Sequence, residues 1–461
     1  MTAIVTDSFR KKVVNLLFDE VTNSTDSDQY YIGIGRSDAY DSTDTVVNPV
    51  RTFREERLAR ENLQSIKVVS ATSFVVARQN WSTSTIFPAY SDSETQNASP
   101  AHYVLTEDND VYIVIQQGKN AAGVAQPSTV KPSYTDAGVA KTKPFKTADG
   151  YIWKYLYSVD ATSANNFLSS GFIPIQFSPL SDLSSDTGLT DARRFQADVR
   201  ENAVSGSITG AIKVSGGSGY TSAPTVTVNG TGNTARLVAT VSSGEVVKVE
   251  LDSAEAGGTG YDLAEIVFTG GGGSGADYRP IITNQRGIGY DPRDDLRANS
   301  IMFNAKPAGV EGGNFIINQD FRQILLLKNL EVGDSASGQP TPIFENASGN
   351  ALRSVKLNGV SAATFTTDNK IVGGTSGATA FIDGITDSSV FYHQTEATGF
   401  KSFIDGETAT ETGGSGTGTI DSAAPNYTID KFSGDLLYIE NRAAVTRSSS
   451  QTEDIKVIIT I

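Results

Sequence analysis

The sequence predicts a mainly β protein with a few short helices and glycine-rich β modules. Three observations indicate this class. The 461 residues include 44 glycines among many serines and threonines, a composition typical of short strands joined by turns. The longest apolar runs, Val111–Ile115 and Ile324–Leu327, have the length of strands rather than of helices. Two helical patterns are readable, and both lie near the N-terminus.

Each of the two predicted helices begins at a capping residue. Thr6 or Asp7 can cap the first helix. The apolar side chains of that helix recur at helical spacing and predict one buried stripe: Phe9, Val13, Leu16 and Leu17. Asn48 can cap the second helix, which then begins at Pro49 and runs to Asn62 with many charged residues.

Strands are predicted where β-branched and aromatic residues are concentrated between turn residues. These runs are Tyr30–Gly35, Ser65–Val69, Ser73–Ala77, Val111–Gln116 and Tyr151–Val159. Near the C-terminus, Ile455, Val457, Ile459 and Ile461 alternate with period two, which predicts one face of a strand.

The middle of the chain contains a two-copy repeat. The segment 216–228 (GGSGYTSAPTVTV) aligns position by position with the segment 257–269 (GGTGYDLAEIVFT), so that Gly216 matches Gly257. The repeat places Tyr220 and Tyr261 at matching positions, where each ring is expected to cover a small core, or alternatively to stack on a sugar. We therefore predict that 205–285 is an inserted β module.

A second segment, 332–425, is rich in Gly, Ser and Thr and predicts another inserted β module. The remaining stretches, 1–204, 286–331 and 426–461, share a denser and more aromatic composition. They predict a discontinuous core, because insertions are tolerated at loops.

Charge and composition exclude several classes of function. The net charge of −15 and a pI near 4.7 disfavour binding to nucleic acid or to an anionic membrane. The chain has no Cys and two His, so thiolate and His-rich metal sites are not expected. We predict no cofactor, no signal peptide and no membrane span.

Catalytic motifs are weak. Gly270, Gly272 and Gly275 satisfy GxGxxG, but Arg279-Pro280 and a strand follow where a dinucleotide site needs a helix, so a turn is expected. His102 and His393 are expected to be surface or satisfied core residues. Two acidic clusters could be glycosidase carboxylates: Glu107, Asp108 and Asp110, and Asp291, Asp294 and Asp295. The first is expected to be a solvated turn, and near pairs of this kind arise by chance in a chain with 52 acidic residues. Asp383-Gly384 and Asp405-Gly406 are interpreted as turns that lack the other ligands of a calcium loop.

Seven short motifs carry a resemblance to a known family. They are Ala3–Arg10 (AIVTDSFR), Ile34–Ser37 (IGRS), Arg78–Trp81 (RQNW), Asp149–Tyr157 (DGYIWKYLY), Asn299–Phe303 (NSIMF), Phe321–Leu326 (FRQILL) and Gly434–Arg442 (GDLLYIENR). In this order the chain resembles the baseplate wedge proteins of T-even-type contractile-tailed bacteriophages, and in particular their homodimeric wedge subunit. The two glycine-rich inserts depart from that family.

The resemblance implies sandwich-type β domains and a structural role without catalytic residues. It implies a homodimer in the tail baseplate of the virion, assembled in the host cytoplasm. Its implied partners are other baseplate wedge proteins and the proteins that attach tail fibres, and its implied role is to take part in the rearrangement that triggers sheath contraction. The alternatives are a receptor- or glycan-binding tail protein and a tail-associated glycan hydrolase.

Six residues of these motifs are candidate structural or interface anchors: Arg36, Trp81, Trp153, Arg322, Glu440 and Arg442. Tryptophan buries a large apolar area. The planar guanidinium of arginine braces loop carbonyls or a carboxylate, for which Glu440 is a candidate. We expect bracing within the chain more than contacts between subunits.

Overall fold

The computed structural model describes residues 4–22, 28–93, 99–177, 191–333, 342–358, 364–386, 388–423 and 428–461. It confirms the mainly β class. In these ranges the helices are α1 Asp7–Thr22, α2 Phe53–Glu61, α3 Ala161–Phe167, α4 Asp191–Glu201 and α5 Pro292–Asp295. No helix in the described ranges has the length and apolar character needed to cross a membrane. Ala3, which begins the first family-like motif, lies outside the described residues.

The chain divides into two compact units. Unit 1 contains Met1–Asn15, Ser73–Ile301 and Ile459–Ile461, and unit 2 contains Leu16–Thr72 and Met302–Ile458. The first predicted insert falls in unit 1 and the second in unit 2. Residues of the predicted core occur in both units, so the division into one core and two inserts stays a prediction.

Most strands lie entirely within one or the other of the two units. Those of unit 1 are β4 Tyr103–Leu105, β5 Asp110–Gln116, β6 Phe145–Lys146, β7 Ile152–Ser158, β8 Phe172–Pro174, β9 Ile208–Ser218, β10 Thr225–Gly230, β11 Leu237–Ser242, β12 Glu245–Leu251, β13 Ala264–Thr269 and β14 Ser274–Ile282. Those of unit 2 are β1 Tyr30–Gly35, β2 Leu63–Val68, β16 Asp320–Lys328, β17 Glu331–Val332, β18 Ser348–Asn350, β19 Arg353–Asn358, β20 Lys370–Gly373, β21 Thr379–Ile385, β22 Ser389–His393, β23 Thr408–Thr412, β24 Thr417–Ser422, β25 Ile429–Asp430 and β26 Asp435–Thr446. The unit boundaries fall within α1 and within β3 Ala71–Ala77, β15 Ser300–Ala305 and β27 Ile455–Thr460.

Unit 1 contains a four-stranded antiparallel sheet in the order β4-β5-β7-β6. Six consecutive residues of β7, from Ile152 to Tyr157, are buried, so both faces of this strand are covered. The predicted strands at 111–116 and 151–159 are thereby confirmed. Strand β7 therefore has two packed faces, rather than one buried and one solvent-exposed face.

The glycine-rich repeat forms three antiparallel strand pairs: β9 with β14, β10 with β13, and β11 with β12. In the central pair, Val226 lies opposite Phe268 and Thr227 lies opposite Val267. The alignment of the two copies matches Val226 with Val267 and Thr227 with Phe268, so the pair maps onto itself. The two copies are therefore related by an approximate two-fold axis through the β10–β13 pair.

Two equivalent glycines show why the repeat needs glycine at these positions. Gly217 and Gly258 have φ angles of 63° and 66°. A Cβ atom at Gly217 would lie 2.3 Å from the carbonyl oxygen of Ser274, and one at Gly258 would lie 2.4 Å from that of Asn233. Ser274 and Asn233 are themselves matched by the alignment of the copies, so each copy closes on the other through the same contact.

Unit 2 contains a five-stranded sheet in the order β18-β2-β1-β16-β26 and a closed barrel in the order β19-β22-β21-β20-β23-β24. The second predicted insert, 332–425, includes all six barrel strands. The barrel has its own apolar core, which includes Val355, Ile371 and Ile382. In the sheet, β1 pairs on its two sides with β2 and β16, and all six of its residues are buried.

The predicted apolar stripe of α1 is wrong. The side chains of Phe9 and Leu16 are 59% and 62% exposed, whereas Val14 is fully buried. Lys11, which lies one turn before Val14 and Asn15 on the same face, forms an ion pair with Asp294. These tertiary contacts select a face on nearly the opposite side of the helix from the predicted stripe.

The predicted start of the second helix is also wrong. Helix α2 begins at Phe53, and the side chain of Thr52 accepts a hydrogen bond of 3.2 Å from the backbone N–H of Glu55. Thr-x-x-Glu is the capping-box pattern, so the sequence contained the correct signal just after Asn48.

We predict that Gly217→Ala and Gly258→Ala each destabilise the repeat module by about 1–3 kcal/mol or more, because both the positive φ and the close carbonyl disfavour a Cβ atom. The two losses should be similar, since the sites are equivalent. Chemical denaturation of the full chain measures them. Gly210→Ala is the control, because a Cβ atom there meets nothing within 4 Å. Two variants as stable as the control would contradict the assigned backbone geometry.

Candidate functional site

Three of the motif arginines meet at one place in unit 2. Arg36 follows β1, Arg322 lies on β16 and Arg442 lies on β26. The chain folds so that Tyr40, in the loop after β1, reaches all three. Its ring lies 4.5 Å from the guanidinium carbon of Arg36, and its hydroxyl bonds to the backbones of Arg322 and Arg442.

The Tyr40 hydroxyl fills an irregularity between β16 and β26. Phe321 lies opposite Val445, but Gln323 lies opposite Asn441, so the register shifts between these pairs. A β-bulge leaves backbone groups without ladder partners. The Tyr40 hydroxyl donates to the carbonyl of Arg322 and accepts a 3.0 Å bond from the N–H of Arg442, which supplies those partners.

The guanidinium of Arg322 is bonded on all sides. Its Nε lies 2.9 Å from Asp44, its Nη2 lies 2.9 Å from Asp320, and its Nη1 donates to the carbonyl of Ser37. The hydrogen bond from Arg322 lowers the pKa of Asp44 below its ordinary value. Arg322 therefore braces two carboxylates and a loop carbonyl within its own chain.

Glu440 and Arg442 do not make the predicted brace. Glu440 accepts a 3.0 Å hydrogen bond from the hydroxyl of Tyr438, its neighbour on the same face of β26. Arg442 contributes its backbone to the bulge, and its buried Nε atom has no partner among the described residues. The carboxylates that meet a motif arginine are Asp44 and Asp320, which the sequence analysis did not single out.

His393 lies beside this cluster, buried between two carboxylates. Its Nδ1 lies 2.7 Å from Asp383 and its Nε2 lies 3.2 Å from Asp38, while Ser37 Oγ donates to Asp383 at 2.9 Å. Burial alone would lower the pKa of His393, but Asp383 and Asp38 outweigh it and raise that pKa to about 10. The ring is thus a cation at neutral pH and cannot act as a general base for Ser37. The prediction of a satisfied buried histidine is confirmed.

Trp81 and Trp153 belong to one apolar core in unit 1. Trp153 is fully buried, stacks on Tyr151 at 5.3 Å and donates to the hydroxyl of Thr147. Trp81 packs against the same cluster and donates to Ser128. Both hydroxyls bond in turn to the carboxylate of Asp149, which links the two tryptophans.

The carboxylates Asp291 and Asp295 of the second acidic cluster also have partners within unit 1. Asp291 pairs with Arg293 at 2.9 Å, and Asp295 accepts bonds from Gly289 N–H at 2.7 Å and from Asn284. Burial raises the pKa of Asp295 to about 8 and lowers that of nearby Lys154 to about 8. His102 contacts the carbonyl of Asp295 at 2.9 Å and is buried, which is the core alternative of the two expected for it. Both Asp291 and Asp295 are buried.

The remaining candidate motifs lie in turns, in strands and in ion pairs. Gly270 and Gly272 lie in the turn between β13 and β14, as expected for a turn, and Gly275 lies at the start of β14. Asp383-Gly384 is part of β21 and not a turn, because pairing with β22 continues through Gly384, with a register shift at Asp383. Tyr220 and Tyr261 are buried.

Glu107 and Asp108 pair with Lys131 at the surface, while Asp110 is bonded to Ser158. No group of three metal-ligating side chains occurs in the part of the chain that the structure describes.

No protein-family model matches the chain, and no curated protein matches it.

We predict that Tyr40→Phe lowers the free energy of unfolding by about 1–3 kcal/mol, because buried backbone groups in the bulge lose their partner. Urea denaturation measures the loss. Tyr438→Phe is the matched control, since its half-buried hydroxyl bonds to the side chain of Glu440 and its loss should be smaller. Equal losses would argue against a special role for Tyr40.

We predict a pH dependence from His393. Because its pKa rises from 6.5 to about 10 on folding, its contribution is fully present below pH 6.5 and is lost as the pH rises through about 10. Denaturation from pH 6 to 10 should show His393→Gln converging on the unchanged protein at high pH, from a difference of about a few kcal/mol. His102→Gln is the control. A difference that is independent of pH would contradict a buried imidazolium.

Proposed function

We propose that the chain is a structural subunit of the baseplate wedge of a contractile phage tail. In this proposal it forms a homodimer, contacts other wedge proteins and takes part in the rearrangement that triggers sheath contraction. It acts through protein interfaces and not through catalysis. Such a dimer would be isologous, with the same patch used on both subunits.

The convergence of the family-like motifs carries the proposal. Arg36, Arg322 and Arg442 come from three motifs that lie far apart in the sequence, and they meet around Tyr40. The resemblance rests on the order of these motifs. Three of them contribute residues to the same cluster, which gives them a common structural role. It supports a rigid sheet built from distant stretches, as a subunit that transmits force requires.

The chemistry of the buried charges supports a structural role. Arg322 and His393 are held by carboxylates of the same chain, and His393 is a cation at neutral pH. Groups that are paired in this way stabilise one arrangement and have no free nucleophile or base at their centre. The cluster therefore favours positioning of the loop over turnover of a substrate.

An exposed apolar segment supports a role in assembly. Val46, Val47, Val50 and Phe53 lie before and at the start of α2, and the side chains of Val50 and Phe53 are 62% and 78% exposed. Asn441 on β26 donates to the carbonyl of Val47 and fixes the segment beside the sheet. Exposed apolar clusters are typical of protein contacts, and we assign this one to a neighbouring wedge protein.

We predict that the purified protein is a dimer in light scattering and co-assembles with the other wedge proteins of its phage. The double variant Val50→Ser and Phe53→Ser should weaken that co-assembly about tenfold or more without lowering the free energy of unfolding. Val124→Ser is the control, since Val124 is comparably exposed but lies in unit 1. A trimer that binds host cells, or release of reducing sugar from host polysaccharide, would contradict the proposal.

A further inference from the structure

Unit 1 contains a cavity that none of the roles above uses. Its volume is about 470 Å³, within the range of pockets that bind small molecules. It lies between β7 and the strands of the repeat module. Its lining includes the aliphatic side chains of Ile115, Val204, Ile208, Leu251 and Ile288 together with polar side chains, mainly of threonine. No aromatic residue occurs among the described residues that line it.

A buried cation lies in this lining. The side chain of Lys154, on β7, is 6% exposed and donates a 2.7 Å bond to the carbonyl of Ile288. Lys143 and Arg236 also line the cavity, but they form ion pairs with Glu255 and Asp252. A buried ammonium group is an anchor for an anion, because the low dielectric around it strengthens their attraction.

A second polar group in the lining lacks a partner. Thr209 is 3% exposed, and its buried Oγ1 atom has no hydrogen-bond partner among the described residues. A buried hydroxyl without a partner costs free energy, and native proteins retain few of them. A bound molecule with an acceptor atom would satisfy it.

We propose that this cavity binds a small organic carboxylate with an aliphatic body. Lys154 supplies the positive charge, Thr209 supplies a hydrogen-bond donor, and the aliphatic side chains of the lining contact the hydrocarbon part. The lack of aromatic rings in the lining disfavours a sugar ring, which commonly stacks on one. The site lies in unit 1 and is independent of the proposed wedge function.

Calorimetric titration of the full chain with octanoate tests the site. Octanoate should bind, and 1-octanol, which has the same chain without the charge, should bind at least about tenfold more weakly. Glucuronate tests the alternative of a sugar acid. Failure of octanoate to bind at about 10 mM, or equal binding of octanol and octanoate, would overturn the proposal. Tighter binding of glucuronate would overturn the assigned ligand class.

Two variants connect binding to the named residues. Thr209→Val should weaken octanoate binding about threefold to tenfold while leaving the free protein at least as stable, because it removes the unpartnered hydroxyl. Lys154→Met should weaken binding further. Lys119→Met is the matched control, since Lys119 is a partly buried lysine of unit 1 outside the cavity. If Lys154→Met does not fold, unchanged binding by Thr209→Val still overturns the proposal.

Discussion

The buried guanidinium of Arg322 is the constraint on which the arrangement of unit 2 depends. A buried charge is tolerated when it is paired and fully hydrogen-bonded. Arg322 takes one carboxylate from its own strand, Asp320, and its other partners, Asp44 and the carbonyl of Ser37, from the loop after β1. The loop is therefore held across β16, and this places Tyr40 at the bulge beside β26.

The same loop connects the sheet of unit 2 to its barrel. Ser37 and Asp38 follow β1, while Asp383 and His393 lie on β21 and β22 of the barrel. Because the imidazolium of His393 lies between Asp383 and Asp38, it holds the loop against the barrel through charge and hydrogen bonds. The barrel, which lies in the predicted insert 332–425, is thus joined to the sheet of unit 2 by buried polar contacts as well as by the chain itself.

The repeat module depends on a different constraint, which is backbone space. Its two copies close on each other where Gly217 and Gly258 meet the carbonyls of Ser274 and Asn233, which are also equivalent positions of the repeat. This equivalence explains why the Gly-rich pattern recurs in both copies. The cavity that Lys154 and Thr209 line lies between this module and β7.

The sequence by itself determined the mainly β class, the positions of the main strands and the repeat, because period, composition and offset are local properties of the chain. It also singled out the three arginines that meet in unit 2. Only the tertiary structure decided that Asp44 and Asp320 pair with Arg322, that α1 buries Val14, and that His393 lies between Asp383 and the distant Asp38. The physical reason is that burial and charge pairing depend on which stretches pack together, and residues such as Ser37 and Asp383 are 346 positions apart.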